Sequence, residues 1–166
     1  MFKHLDVIMF KHLDVNMSKS LAYNRKAKFD YSFIKKYEAG LMLTGSEVKS
    51  IKSGQASLKG SFITSHKNEL FLTNANIPLY KFAGQVKDYD PSSSRKLLLH
   101  KKEISYLLGK LNEKGLTIVP ISLYTIRGRV KLSFALAKGK KQYDKRETLK
   151  KRTAQREIGR KLKSRF

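Results

Sequence analysis

Apolar side chains occupy every second position near residue 130 and so predict a strand. The alternating apolar positions are Val130, Leu132, Phe134 and Leu136. Arg129–Ala137 is therefore predicted to be a half-buried strand with a basic outer face. A preceding strand, Thr117–Ile126, joins it through Arg127-Gly128, and Pro120 indicates that this first strand is an edge or is bulged.

Two segments have the apolar spacing and end signals of helices. The clearest runs from His100 to Gly115, and its apolar residues at i, i+3, i+4 and i+7 are Ile104, Leu107, Leu108 and Leu111. A shorter helix is predicted over Asp30–Gly40, where Asp30 is a good N-cap and Gly40 a C-terminal stop.

The remaining apolar segments predict further strands. Leu41–Ile51 is predicted to be a strand with Gly45 at a bulge or bend. Ser61–Ser65 and Glu69–Thr73 are predicted to form a hairpin joined near His66–Asn68. Together these elements predict a mainly β fold, a small antiparallel barrel with two or three peripheral helices. An OB-like barrel is one candidate architecture, and the pattern alone does not single it out.

The two ends of the chain differ from this body, which we place at residues 17–137. MFKHLDV stands at residues 1–7 and again at 9–15, so we interpret Met1–Asn16 as a duplicated leader outside the functional protein. The tail, Lys138–Phe166, has thirteen Lys and Arg against three acids, which gives it a charge of +10. With so few apolar residues the tail is expected to be disordered in isolation and to fold as a helix once phosphates neutralise it.

Net charge is the most informative feature of the composition. The 166 residues include 36 Lys and Arg and only 13 Asp and Glu, a formal net charge of +23. Such an excess favours a polyanionic partner, either a nucleic acid or an anionic membrane surface. The tail has too thin an apolar stripe to anchor in a bilayer by itself, so RNA is the favoured partner. The chain has no cysteine, which excludes disulfides and fits a reducing cytoplasm, where we expect the protein to act.

Few residues offer catalytic chemistry. The sequence has no phosphate-binding loop, nucleophile elbow or dinucleotide fingerprint, and its histidines lack metal-ligand spacing. We therefore expect no enzyme activity, no cofactor and no metal. Glu38 is the acid of most interest, in the last turn of its predicted helix. Two roles are open for it. Glu38 either pairs with Lys35 at spacing i,i+3, or it accepts a hydrogen bond from a base edge or a ribose 2′-hydroxyl.

Basic residues cluster beside aromatic ones. Arg25, Lys26 and Lys28 precede Phe29 and Tyr31. A second cluster, around a tight turn after Tyr124, consists of Arg127, Arg129 and Lys131. Phosphate contacts by such cations and stacking on such rings are typical of RNA binding, although any one lysine is usually a solvated surface charge.

Six segments, in order, resemble the small protein B family, the SsrA-binding proteins. They are Asn24-Arg-Lys-Ala, Glu38-Ala-Gly, Gly45–Gly54, Arg95–Ile104, Val119–Tyr124 and Ala137–Glu147. The resemblance implies an OB-like barrel that binds the tRNA-like domain of transfer-messenger RNA, with a tail that enters the empty mRNA channel of a stalled ribosome. Elongation factor Tu and alanyl-tRNA synthetase would be indirect partners through the shared RNA, and small-subunit rRNA would meet the tail.

The resemblance also implies site residues. The RNA contacts would fall on Asn24, Glu38, Leu98 and Lys131, with Arg25 and Lys26 in the same motif as Asn24. Leu97–Leu99 could instead be a plain core strand, but alternation lets at least one of these leucines face outward. The positions that engage the decoding site would be Gly139, Lys140, Lys141, Tyr143, Asp144, Lys145 and Arg146, with Gly139 as a hinge. The alternative function is a general OB-type RNA chaperone or ribosome-associated protein, which would bind many RNAs alike.

Overall fold

An antiparallel sheet forms the body of the protein. The computed structural model describes residues 20–84, 87–141, 143–144, 153 and 157. Within these residues the strands are β1 (Ala22–Tyr23), β2 (Tyr31–Leu41), β3 (Phe62–His66), β4 (Glu69–Thr73), β5 (Arg95–Leu98), β6 (Leu116–Ile126) and β7 (Arg129–Gly139). The helices are α1 (Ala27–Asp30), α2 (Gly45–Lys52) and α3 (Lys101–Leu111).

The sheet curls in the manner of an OB-like barrel. Its strand order is β1-β6-β7-β2-β5-β4-β3, and all neighbouring strands are antiparallel. β3 comes back into contact with β6, although no ladder joins these two strands within the residues described. The prediction of a mainly β, antiparallel fold with two or three peripheral helices is confirmed, with three helices among the described residues, and the curled sheet is compatible with the OB-like barrel.

The inner face of the sheet holds the core. It is made of apolar residues from the alternating positions of several strands, among them Leu70, Leu72, Leu97, Leu123, Leu132, Phe134 and Leu136. Tyr37 stacks on Phe134 with ring centroids 5.5 Å apart, and α3 adds Leu107, which is fully buried. Because the large apolar side chains of β7 point inward, its alternate positions are left for the outer face.

Three sequence predictions of elements are confirmed. The helix predicted over His100–Gly115 is α3, and the Glu103 carboxylate accepts a hydrogen bond from the His100 backbone N–H at its start. The hairpin of β3 and β4 turns at Lys67 and Asn68, whose φ angles are both positive. β6 and β7 form the second hairpin, and the register of β6 shifts between Pro120 and Ser122, so this strand is bulged.

Two predictions are wrong. The segment predicted as a helix from Asp30 to Gly40 is the long strand β2, because its backbone pairs with β7 on one side and β5 on the other. The segment predicted as a strand from Leu41 to Ile51 is mostly helix α2, which Thr44 caps together with Glu47. Gly45 therefore begins a helix and does not bulge a strand.

The predicted basic outer face of β7 is limited to the end near the turn. Arg129 is exposed and Lys131 half-buried, whereas Ala135 and Ala137 are fully buried. Ala137 is covered because Ala27 of α1 and Val119 of β6 pack beside it, with Tyr31 and Phe33 around them. The outer face is thus divided into an open, basic end and a covered end near the start of the tail.

Candidate nucleic-acid interface

Four outer-face residues stand in one row across four neighbouring strands. Tyr124 is paired with Lys131, Lys131 with Gly40, and Gly40 with Leu98. Leu97 is buried while Leu98 is 53% exposed, so Leu98 points to the outer face as alternation requires. We name these four residues the cross-strand row. Adjacent strands lie about 4.8 Å apart, so Lys131 and Leu98 are separated by about 10 Å.

Gly40 allows Leu98 to lie close to the neighbouring strand. A Cβ atom at position 40 would lie 3.3 Å from the Cβ of Leu98, closer than most side chains tolerate. The glycine thus leaves an open floor between the leucine and the lysine of the cross-strand row. The predicted role of Gly40 as a helix stop is wrong. In the Glu38-Ala-Gly motif the glycine is a strand residue that lets Leu98 of the neighbouring strand come close.

Glu38 and Lys131 form an ion pair on the same face. Nζ of Lys131 lies 3.6 Å from Oε2 of Glu38, with the side chains 37% and 42% exposed. Water screens such a half-exposed pair, so it orients the lysine more than it stabilises the fold. The pairing with Lys35, one of the two roles that the sequence left open for Glu38, is not found: the Lys35 ammonium lies over the rings of Tyr37 and Tyr106, at 5.4 and 6.0 Å from their centroids.

The Tyr124 phenol remains protonated beside this pair. Burial raises the pKa of Tyr124, and the neighbouring Glu38 carboxylate raises it further. A neutral phenol can donate a hydrogen bond, whereas Glu38 can only accept one. Because the phenol oxygen itself is buried, the groups that this end of the face offers to a ligand are the cation of Lys131 and the acceptor oxygens of Glu38, both partly exposed.

A shallow basic depression continues from Lys131 towards the β6–β7 turn. It is lined by Ile126, Arg127, Arg129 and Lys131. Arg127 and Gly128 have φ angles of 48° and 76°, the backbone required for a two-residue turn between twisted strands. The turn holds two arginines beside the cross-strand row, as expected of a surface that receives phosphates.

Asn24 is not part of the cross-strand row. Its side chain is buried: Nδ2 donates to the Pro120 carbonyl at 3.1 Å, and Oδ1 accepts from the Ala27 N–H at 3.3 Å. Asn24 thereby fixes the turn that exposes Arg25 and Lys26. The Asn24 backbone N–H donates to the Ile121 carbonyl. Ile121 is three residues from Tyr124 along β6, which places it about 10 Å from the cross-strand row.

The beginning of the tail is attached to the body. Gly139 ends β7 in register with Tyr31. The Lys140 N–H donates to the Asp30 carbonyl at 2.9 Å, and Nζ of Lys140 donates to the Lys28 carbonyl at 3.0 Å. Beyond it, the Lys141 N–H donates to Oδ2 of Asp144 at 3.3 Å.

The predicted decoding-site residues after Lys141 lie only partly within the described residues. Tyr143 is 77% exposed and Asp144 is also exposed. Lys145 and Arg146 lie outside the described residues, as do Met1–Asn16 and most of the tail. In the part of the chain that the structure describes, no group of three acidic, histidine or cysteine side chains could hold a metal ion, and no helix is long and apolar enough to span a membrane.

Comparison with known proteins gives one consistent result. The family model described as SmpB protein matches residues 21–164. An SsrA-binding protein of Trichormus variabilis is 46% identical over 138 residues, which cover 83% of this chain and 89% of the relative. An SsrA-binding protein of Sulfurihydrogenibium sp. is 50% identical over 137 residues, 82% of this chain and 90% of the relative.

A solved structure agrees with these sequence matches. It is described as "tmRNA-SmpB: a journey to the center of the bacterial ribosome" and is 45% identical to this chain. The superposition has a TM-score of 0.60 and covers 72% of this chain and 84% of the other. At this identity the fold and the sequence motifs support the same family.

Proposed function

The chain belongs to the SmpB protein family, and from that premise we propose that it binds the tRNA-like domain of transfer-messenger RNA and delivers this RNA to stalled ribosomes for trans-translation. By its family it is an RNA-binding adaptor and not an enzyme. Its matched relatives are named for binding SsrA, and the solved neighbour is named for tmRNA and the bacterial ribosome. In this proposal the protein acts in the cytoplasm, where the bacterial ribosome works.

The cross-strand row is the observation that carries this proposal. It places the cation of Lys131, the open floor of Gly40 and the exposed Leu98 in register on three neighbouring strands. In this proposal Lys131 binds a phosphate, Leu98 contacts a sugar or base, and Glu38 accepts from a base edge or a 2′-hydroxyl. Arg25 and Lys26, held out by the buried Asn24, supply further phosphate contacts.

The tail has a separate task in this proposal. Beyond Lys140, which holds its start on the body, it enters the decoding centre and the empty mRNA channel, where Lys141, Tyr143, Asp144, Lys145 and Arg146 would meet the small-subunit RNA. The charge of +10 over Lys138–Phe166 supports this task, because rRNA phosphates would remove the self-repulsion that opposes folding. Elongation factor Tu and alanyl-tRNA synthetase would act on the same RNA without a dedicated site on this chain.

A truncated chain tests the division between body and tail. The truncation ends at Lys141, because Lys140 still bonds to Asp30 and Lys28 of the body. We expect this variant to bind the tRNA-like domain with unchanged affinity and to lose peptide tagging on stalled ribosomes. Loss of RNA binding in the truncated chain would contradict the division.

A competition assay separates the adaptor from a general RNA chaperone. Labelled tRNA-like domain is bound at about 150 mM salt and challenged with excess bulk tRNA, because specific complexes outlast non-specific ones by orders of magnitude at such salt. Retention of the label is expected. Free displacement by bulk tRNA would leave only charge-driven binding, the behaviour of a general RNA chaperone.

A further inference from the structure

Met42 extends the apolar part of the cross-strand row. It follows β2 directly, and its N–H donates to the Lys96 carbonyl at 3.0 Å, so the pairing of β2 with β5 continues to this residue. Leu41 is buried whereas Met42 is 67% exposed, which places Met42 on the outer face with Gly40. Neither the motifs nor the cationic clusters of the sequence point to this methionine.

Met42 and Leu98 are diagonal neighbours on that face. Leu98 is opposite Gly40, and Met42 is opposite Lys96, two residues along each strand. Such diagonal positions lie about 7–8 Å apart, within reach of long side chains. A single exposed apolar side chain is ordinary on a protein surface, but two that are each more than half exposed and adjacent form a continuous apolar step.

Charged pairs border this step on both sides. Lys131 is paired with Glu38 on the β7 side, and Lys96 is paired with Glu69 of β4 on the other side. An apolar step between two lysines matches the chemistry of a nucleotide, whose base is flat and weakly polar on its faces and whose phosphates are anionic. Methionine suits such a contact because its unbranched, polarisable side chain adapts to the shape of a ring.

We propose that Leu98 and Met42 together form a binding shelf for the face of one unpaired nucleobase. This inference rests on the proposed function and adds to it a base contact that no phosphate-binding lysine provides. The occupant is a base of the bound RNA, because the shelf is continuous with the cross-strand row and is flanked by lysines. Lys131 holds a phosphate on one side of that base, and Lys96 can leave Glu69 to meet another.

Affinity and its salt dependence test the shelf with the full-length protein and the tRNA-like domain of transfer-messenger RNA. We expect Met42→Ser to raise the Kd about fivefold because it removes apolar contact area. Met42→Leu restores that area and should bind like the wild type. Ile34→Ser is the matched control, since Ile34 lies on β2, is 54% exposed, and is at the register shift far from Leu98.

The slope of log Kd against log salt distinguishes a base contact from a phosphate contact. Lys131→Ala should lower its magnitude by about one, whereas Met42→Ser should leave it unchanged because no phosphate contact is lost. If Lys131→Ala and Leu98→Ser leave the affinity unchanged, the proposed function of the row is itself wrong. If both weaken binding while Met42→Ser does not, only the shelf is wrong.

Photocrosslinking gives a second, independent measurement. A benzophenone amino acid placed at position 42 should crosslink to one unpaired nucleotide of the bound RNA, and the same group at position 34 should not. Crosslinks at position 42 that spread over helical nucleotides, or that match those at position 34, would overturn the shelf.

Discussion

The guanidinium of Arg95 meets the carboxylate of Glu47 inside the protein, with Nη2 2.7 Å from Oε1. Both side chains are nearly inaccessible, at 3% and 6% exposure. Nη1 of Arg95 also donates to three backbone carbonyls, those of Ala75, Pro91 and Ser93. One side chain therefore joins α2, the connection between β4 and β5, and the strand that carries Leu98.

We expect Glu47→Ala to destabilise the protein by about 3–5 kcal/mol, because it leaves the Arg95 guanidinium buried without its counter-charge. Glu47 also accepts from the Thr44 N–H at 2.8 Å, so the start of α2 loses its cap as well. Urea unfolding followed by circular dichroism measures the change. Glu113→Ala is the control, because it removes an ion pair with Lys110 at the surface of the protein. Equal losses from both variants would contradict the structural role of the buried pair.

The Glu38–Lys131 pair predicts a change in RNA affinity opposite to the change that net charge alone would cause. Glu38→Ala makes the protein more basic, which alone would strengthen RNA binding. We expect the Kd for the tRNA-like domain to rise about tenfold instead, because Lys131 loses its orientation and the RNA loses an acceptor.

Glu38→Gln separates these two effects. The amide retains an acceptor oxygen but removes the charge that orients Lys131, so we expect an affinity between those of the wild type and the alanine variant. The same binding assay measures both variants. Tighter binding by Glu38→Ala would show that net charge outweighs the geometry of this face.

The accuracy of the sequence predictions depended on how local the deciding contacts were. The β6–β7 hairpin was predictable because Arg127-Gly128 needs no distant partner and the alternation from Val130 to Leu136 covers four apolar positions. Helix α3 was predictable for the same reason, since its apolar spacing and its stop lie within one segment. Confident prediction therefore came where turn chemistry and periodicity agreed.

The two errors adjoin each other and have different causes. β2 has strand pairing with both β7 and β5, and no local pattern reveals such distant partners. For α2 a local signal existed: Thr44 followed three residues later by Glu47 is a capping box, and the apolar run from Leu41 obscured it. Alternation correctly required that at least one of Leu97–Leu99 face outward, and the resemblance pointed to Leu98, whereas the burial of Asn24 depended on Pro120, far away in sequence.

Tyr124 is expected to ionise at a higher pH than an ordinary tyrosine. Burial is the larger cause of its raised pKa and the Glu38 carboxylate the smaller. The folded-state pKa therefore lies above the unfolded value of about 10. The stability that this group contributes is therefore fully present below pH 10 and is lost as the pH rises through the folded-state pKa. The difference in tyrosinate absorbance between wild type and Tyr124→Phe isolates its titration. Glu38→Gln should lower the pKa without returning it to the ordinary value, because burial remains.

The tail should turn after Lys140, because the ladder of β7 and the bond from Lys140 to Asp30 hold the preceding residues on the body. Gly139 has no positive φ, and a Cβ there would meet nothing within 4 Å, so Gly139→Ala should leave both RNA binding and peptide tagging nearly unchanged. Lys140→Pro removes the N–H that bonds to Asp30 and restricts Gly139, so tagging should fall while RNA binding persists. A tagging assay on stalled ribosomes, run beside an RNA-binding assay, compares the two variants. Loss of tagging in Gly139→Ala with normal RNA binding would place the turn at the glycine, as the family resemblance implies.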